Sequence, residues 1–214
     1  MAAAANTAEH HRPTAGQRGL SLCQDAALVL LSGVFFYAHA RKVIEDGNLV
    51  NVGFALDQLI LIAMFLTRRR ARVVSRRPWD WVVAIGGWLP LLVRPTDADG
   101  MSQVIGGTLQ VMGALLVVVG MCYLGRSFGV VAANRGLKIN GPYRFVRHPV
   151  YAAHAIALCG FVVANPTVWN AAILVANLTL QVLRIRAEER LLTESAEYGE
   201  YRARVRWRVV PGVY

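Results

Sequence analysis

The residue types best suited to chemistry gather in two stretches of this chain. In the first, Arg126 to Pro149, Gly141-Pro142 makes a turn, Tyr143, Arg144 and Arg147 offer aromatic and cationic groups, and His148 immediately precedes Pro149. Proline is favoured at the first position of a helix. Arg144, Arg147 and His148 are therefore expected near a helix amino terminus, where free N–H groups and the helix dipole attract an anion. A carboxylate or phosphate fits such a seat, and so does a lipid headgroup gripped by a basic interfacial loop.

The second stretch follows a polar stripe. Asn170, Asn177, Gln181, Arg184 and Glu188 are separated by seven, four, three and four residues, the spacing of one helical face. Polar groups in an apolar helix face a bundle interior or a wet cavity, or they simply hydrogen-bond one helix to another. Here the stripe runs on into Glu188-Glu189, two adjacent carboxylates close to Arg184 and Arg186. Adjacent residues point about 100° apart on a helix, so the pair can divide between a ligand and a basic neighbour.

The elements that must carry these groups are apolar helices. The chain has 214 residues, 55% of them hydrophobic and 17% charged, outside the soluble range, and its charges fall in blocks between long apolar runs. Leu20–Ala40, Leu49–Thr67, Trp79–Val93, Val104–Leu124, Val150–Ala164 and Thr167–Leu183 read as membrane spans. The last two form a tight hairpin about Asn165-Pro166, and Trp79, Trp81 and Trp88 are candidate interfacial anchors. The expectation is an all-α polytopic bundle of about six spans.

Arginine placement gives the orientation. Arg68, Arg69, Arg70, Arg72, Arg76 and Arg77 mark the link after the second span as cytoplasmic, and Arg126, Arg135, Lys138, Arg144 and Arg147 mark the link after the fourth. In the opposite links Arg41 and Lys42 are balanced by Glu45 and Asp46, and Arg94 is outweighed by Asp97 and Asp99. Both termini are then cytoplasmic. Residues 1–19 read as a disordered tail, 20–124 as a four-span region, and 125–214 as a cofactor-binding region containing the hairpin 150–183 and a cytoplasmic carboxyl-terminal segment.

Several classes fall away. The net charge of +10 lies in the connections rather than along one helix or ribbon, which argues against nucleic acid. Cys23, Cys122 and Cys159 are dispersed, with no disulfide or metal spacing, so no metal site is expected and His10-His11 reads as a tail feature. No GxGxxG follows a strand. Gly86-Gly87 and Gly106-Gly107 read as close-packing positions, His39 as interfacial, and Asp57 as an intramembrane acid.

Together, Gly141-Pro142-Tyr143-Arg144, Arg147-His148-Pro149-Val150-Tyr151, Glu188-Glu189 and the Tyr198, Tyr201, Arg204-Val205 and Pro211 pattern resemble the isoprenylcysteine carboxyl methyltransferase family, related to the phospholipid methyltransferases. The resemblance covers roughly Gly125 to Tyr214. It implies S-adenosylmethionine held by Tyr143, Arg147, His148, Tyr151, Glu188 and Glu189, and methyl transfer to a lipophilic acceptor. Arg184 or Arg186 would hold a carboxylate acceptor; a phenol, amine or thiol would need a base, with His154 and Glu189 as candidates.

Two other readings remain open. Membrane sterol reductases that use NADPH share an Arg-His-Pro loop and an ending like Pro211-Gly212-Val213-Tyr214, although Glu188-Glu189 favours the methyltransferases. A non-enzymatic membrane scaffold or small transporter would use the polar stripe for structure alone. Twenty-one of the 23 basic residues are Arg and Ala is abundant. That composition suggests a GC-rich bacterial genome, an inner-membrane location with the active site facing the cytoplasm, and a small lipid, quinone or phenol as acceptor among the surrounding membrane lipids.

Overall fold

The computed structural model describes residues 15–46, 50–69, 73–75, 77–96, 100–129, 131 and 133–214. The tail through residue 14, with His10 and His11, lies outside the described residues, as do Arg70, Arg72, Arg76, Asp97, Asp99 and the side chains of Cys23, Asp46 and Asp57. Among the described residues seven α-helices follow in order: α1 Ala15–Asp46, α2 Val50–Thr67, α3 Pro78–Gly86, α4 Met101–Leu124, α5 Pro149–Ala164, α6 Val168–Leu192 and α7 Ala196–Arg204. Proline opens α3 and α5, and the Thr167 hydroxyl accepts the Asn170 N–H at the start of α6, as expected of good helix starts.

Three described segments are helical, long and apolar enough to cross a membrane: Asp25–Glu45 in α1, Met101–Ser127 over α4, and Val168–Leu192, which is α6. The 16-residue α5 and the described apolar stretch Gln58–Thr67 are shorter. The expected span Trp79–Val93 takes a different form, the nine-residue α3 followed by a 3-10 turn at Leu89–Leu92. At this length α3 covers only about 14 Å, roughly half a hydrocarbon core. Tight bonds from Gly87 N–H to Ala84 O and from Trp88 N–H to Ile85 O end it, and Pro90 has no N–H with which to resume it. Other boundaries also move: α1 runs Ala15–Asp46 rather than Leu20–Ala40, α4 begins at Met101 rather than Val104, and α6 runs beyond Leu183 to Leu192.

The closest helix pair is α4 with α5. Gly106, Gly113 and Gly120 recur every seven residues on α4, and a methyl group on them would fall 2.4 Å from Ala164 N, 2.5 Å from Ala157 N and 2.8 Å from a Val150 methyl respectively. Small residues at this period let two backbones approach, and dispersion between the helices increases with that approach. Gly107, by contrast, faces open space. Met64 of α2, Val117 and Met121 of α4 and Ala153 of α5 form the adjoining core.

One end of the bundle gathers the arginine-rich links. Arg68, after α2, pairs with Asp25 near the start of α1. Arg126 donates to Thr67 O at 2.7 Å, and Arg69 N–H donates to Arg126 O at 2.7 Å. A two-residue antiparallel pairing, Val73–Val74 with Ala133–Asn134, joins the same two links. The hairpin Asn165-Pro166 lies at the opposite end.

Candidate functional site

At the arginine-rich end, the turn before α5 meets the last turns of α6. Pro149 starts α5 and leaves Arg147 and His148 just outside it, so their backbone N–H groups need partners from elsewhere. The chain after α7 supplies them: Arg147 N–H donates to Trp207 O at 2.9 Å and His148 N–H to Arg208 O at 2.7 Å. Tyr198, Tyr201 and Val205 bury a small core with Leu137 and Leu192 beneath this segment. The Tyr201 hydroxyl donates to Tyr143 O at 2.7 Å, and the Tyr143 hydroxyl to Gly120 O at 3.4 Å. Burial pushes Tyr201 up to about 12 and raises Tyr143 and Tyr198 as well, so all three remain protonated phenols.

The adjacent carboxylates of α6 have different surroundings. Glu189 is buried and accepts from Arg147 Nε at 2.8 Å, His148 Nε2 at 3.2 Å and Arg208 Nε at 2.8 Å. Arg147 is also buried, and its Nη1 donates to Val205 O and Arg206 O, both at 2.8 Å. The Arg208 guanidinium is held above its ordinary pKa, chiefly by its bond to Glu189. A buried carboxylate so enclosed is satisfied, and it ties three segments together.

Glu188 is different: its side chain retains 24% exposure. It accepts the Tyr151 hydroxyl and stands 3.8 Å from His148 Nδ1. The His148 and Tyr151 rings meet edge to face with centroids 5.7 Å apart, and the Arg184 guanidinium carbon lies 5.4 Å from the centroid of the Tyr151 ring, within cation–π range.

The structure thus brings together Arg147, His148, Tyr151, Arg184, Glu188 and Glu189, with Tyr143 at the edge of the group. It does not place every expected residue there. Arg186 is exposed, outside the Arg147–His148–Glu189 cluster, and His154 is exposed on α5 one turn from Tyr151. Arg208, Tyr198 and Tyr201 were not foreseen as site components beyond the family pattern. The alternation Arg204, Val205, Arg206, Trp207, Arg208 was the available signal for an extended segment laid on the site.

The stripe on α6 also resolves into parts. Asn177 and Gln181 are buried and bond to each other at 2.8 Å. Asn170, completely buried, accepts from Arg94 N–H at 2.9 Å and donates to Arg94 O and Asn165 O, both at 2.8 Å.

Fold and site together define a helical membrane protein with a polar cluster, part satisfied and part open, at one end of its bundle. Residues 101–200, a little under half of the chain, match the model of the phospholipid methyltransferase family, the family of membrane methyltransferases like the isoprenylcysteine carboxyl methyltransferases. The match contains Tyr143, Arg147, His148, Tyr151, Arg184, Glu188 and Glu189. It begins at Met101, the first residue of α4. A comparison with curated proteins gives no match.

Proposed function

We propose that this protein is an integral membrane methyltransferase that transfers a methyl group from S-adenosylmethionine to a lipophilic acceptor. The observation that carries the reading is the contrast between the two carboxylates within a family-matched segment: Glu189 is saturated by Arg147, His148 and Arg208, whereas Glu188 keeps an open edge beside His148 and Tyr151. The donor set fits. An open carboxylate suits an ammonium or ribose hydroxyls, the aromatic rings of Tyr143 and Tyr151 suit an adenine face, and the basic residues of the 144–148 turn suit a carboxylate. Bound there, S-adenosylmethionine supplies an electrophilic methyl group on a sulfonium.

The chain's own residues do the positioning. Glu189 fixes the Arg147-His148 turn against α6 and the 205–208 segment, and Glu188, with Tyr143, His148 and Tyr151, contacts the donor. Arg184, one turn nearer the hairpin than Glu188, holds the polar head of the acceptor, and exposed Arg186 draws anionic heads toward the site. Held by these residues, the donor would supply its methyl group to the acceptor's lone pair and leave as a neutral thioether. A carboxylate acceptor loses its negative charge and moves no proton. A phenol, amine or thiol acceptor must also lose a proton, to a base or to solvent outside the Arg147–His148–Glu189 cluster. Alignment rather than a covalent intermediate supplies most of the rate.

In this reading the arginine-rich end faces the cytoplasm of a bacterium, both termini lie there, and about six segments enter the membrane, α3 only part-way. Residues 125–214 form the donor-binding region, and the acceptor arrives from the lipid. Incubating the purified protein with methyl-labelled S-adenosylmethionine and micelles of palmitic acid, 3-pentadecylphenol, hexadecylamine or hexadecanethiol tests this. Label is expected in at least one amphiphile, and its transfer should fall sharply in Glu188→Gln. Absence of both transfer and donor binding contradicts the reading.

A further inference from the structure

The short helix α3 ends against α6 at the position of Arg184. A methyl group built on Gly87 falls 2.3 Å from Arg184 Nη1, 3.1 Å from Ala84 O and 3.3 Å from the Arg184 guanidinium carbon, and one built on Gly86 falls 2.8 Å from a Leu180 methyl. Gly87 itself has φ −59° and ψ −14°, a conformation open to any residue. Glycine is therefore not required there by the backbone. What excludes a side chain is the guanidinium that occupies its space.

The occupied space has a chemical sense. Arg184 lies at the carboxyl-terminal end of α3, where the helix dipole presents partial negative charge to a cation, and its guanidinium is also over the Tyr151 ring. A charge on an apolar helix needs such partners. The early stop of α3, which denies it a full span, sets a helix terminus beside Arg184 rather than beyond it.

We infer that Gly87 is the positioning residue for Arg184: its missing side chain seats the guanidinium between the end of α3 and the face of Tyr151. The role assigned to Arg184 rests on the proposed function, but its seating by Gly87 does not. Gly87→Ala displaces chiefly the far end of a flexible side chain, the Ala84 carbonyl at 3.1 Å needing to give by no more than a few tenths of an ångström, so the protein keeps its fold while Arg184 leaves Tyr151. Gly87 also precedes the family-matched residues 101–200, so the seat is supplied by the part of the chain outside that match.

The test places 3-fluorotyrosine at position 151 of the full-length protein in detergent micelles and records its fluorine resonance. Arg184→Ala defines the shift caused by removing the cation. Gly87→Ala is expected to shift the resonance in the same direction, and to add nothing when Arg184 is already Ala. Gly107→Ala, where a methyl group meets open space, is expected to leave it in place and controls for a generic helix effect. Calorimetric titration with S-adenosylhomocysteine is expected to give the same affinity for Gly87→Ala as for the parent. A wild-type resonance in Gly87→Ala, or an equal shift in the presence and absence of Arg184, overturns the inference. Failure of S-adenosylhomocysteine to bind even the parent protein counts against the proposed function and leaves the fluorine result to decide the seating. Where the acceptor assay gives transfer, Gly87→Ala is expected to raise the acceptor KM about tenfold.

Discussion

The two ends of α6 carry similar polar residues and use them in different ways. At the hairpin end, Asn170 is wholly buried, and both its amide oxygen and its amide nitrogen are engaged by backbone groups of Arg94 and Asn165. At the other end, Glu189 is equally committed to side chains, but its neighbour Glu188 is only partly covered. A polar stripe on an apolar helix is thus not one functional feature. Buried groups whose bonds are all made hold the bundle, and the group left with an open edge is the one available to a ligand.

Replacing these groups one at a time should separate the ends. Glu189→Ala should have the largest effect, because it removes the one carboxylate shared by Arg147 Nε, His148 Nε2 and Arg208 Nε and leaves the buried Arg147 charge uncompensated; the expected loss is about 3–5 kcal/mol in unfolding in detergent, with donor binding lost too. Asn170→Ala should cost about 1–3 kcal/mol by leaving Arg94 and Asn165 backbone groups unpaired, while S-adenosylhomocysteine affinity, read by calorimetry, stays the same. Glu188→Gln should preserve stability and weaken that affinity about tenfold, about 1.4 kcal/mol. Arg186→Ala should change stability by less than about 0.5 kcal/mol, and its effect should appear only in the acceptor KM. If Asn170→Ala abolished donor binding in a protein that remained folded, the division between the two ends would fail.

Much of this was legible in the sequence where local signals were strong. Pro149 and Thr167 announced the starts of α5 and α6, and the apolar run over α4 gave its end at Leu124. The spacing of Asn170, Asn177, Gln181, Arg184 and Glu188 correctly placed them on one helix. The third apolar run misled, because hydropathy averages over Gly86-Gly87 and Pro90 whereas hydrogen bonding does not. The roles within the cluster were less accessible. Glu188 and Glu189 are identical residue types at adjacent positions, and only the return of the chain at Val205–Arg208 decides which one is enclosed. The links from Tyr201 to Tyr143 O and from Tyr143 to Gly120 O involve backbone carbonyls, which leave no residue-type signature. The seven-residue recurrence of Gly106, Gly113 and Gly120 was visible in the letters, but its meaning required the partner helix α5.

The central claim is that the open carboxylate at the arginine-rich end of α6 belongs to a methyl-donor site. Calorimetric titration of the purified parent and Glu188→Gln proteins with S-adenosylhomocysteine, with NADPH as the competing ligand, tests it most directly. The account predicts saturable binding of S-adenosylhomocysteine to the parent, weakened about tenfold in Glu188→Gln, and no saturable binding of NADPH. Saturable NADPH binding without S-adenosylhomocysteine binding, or S-adenosylhomocysteine binding indifferent to Glu188→Gln, would contradict it.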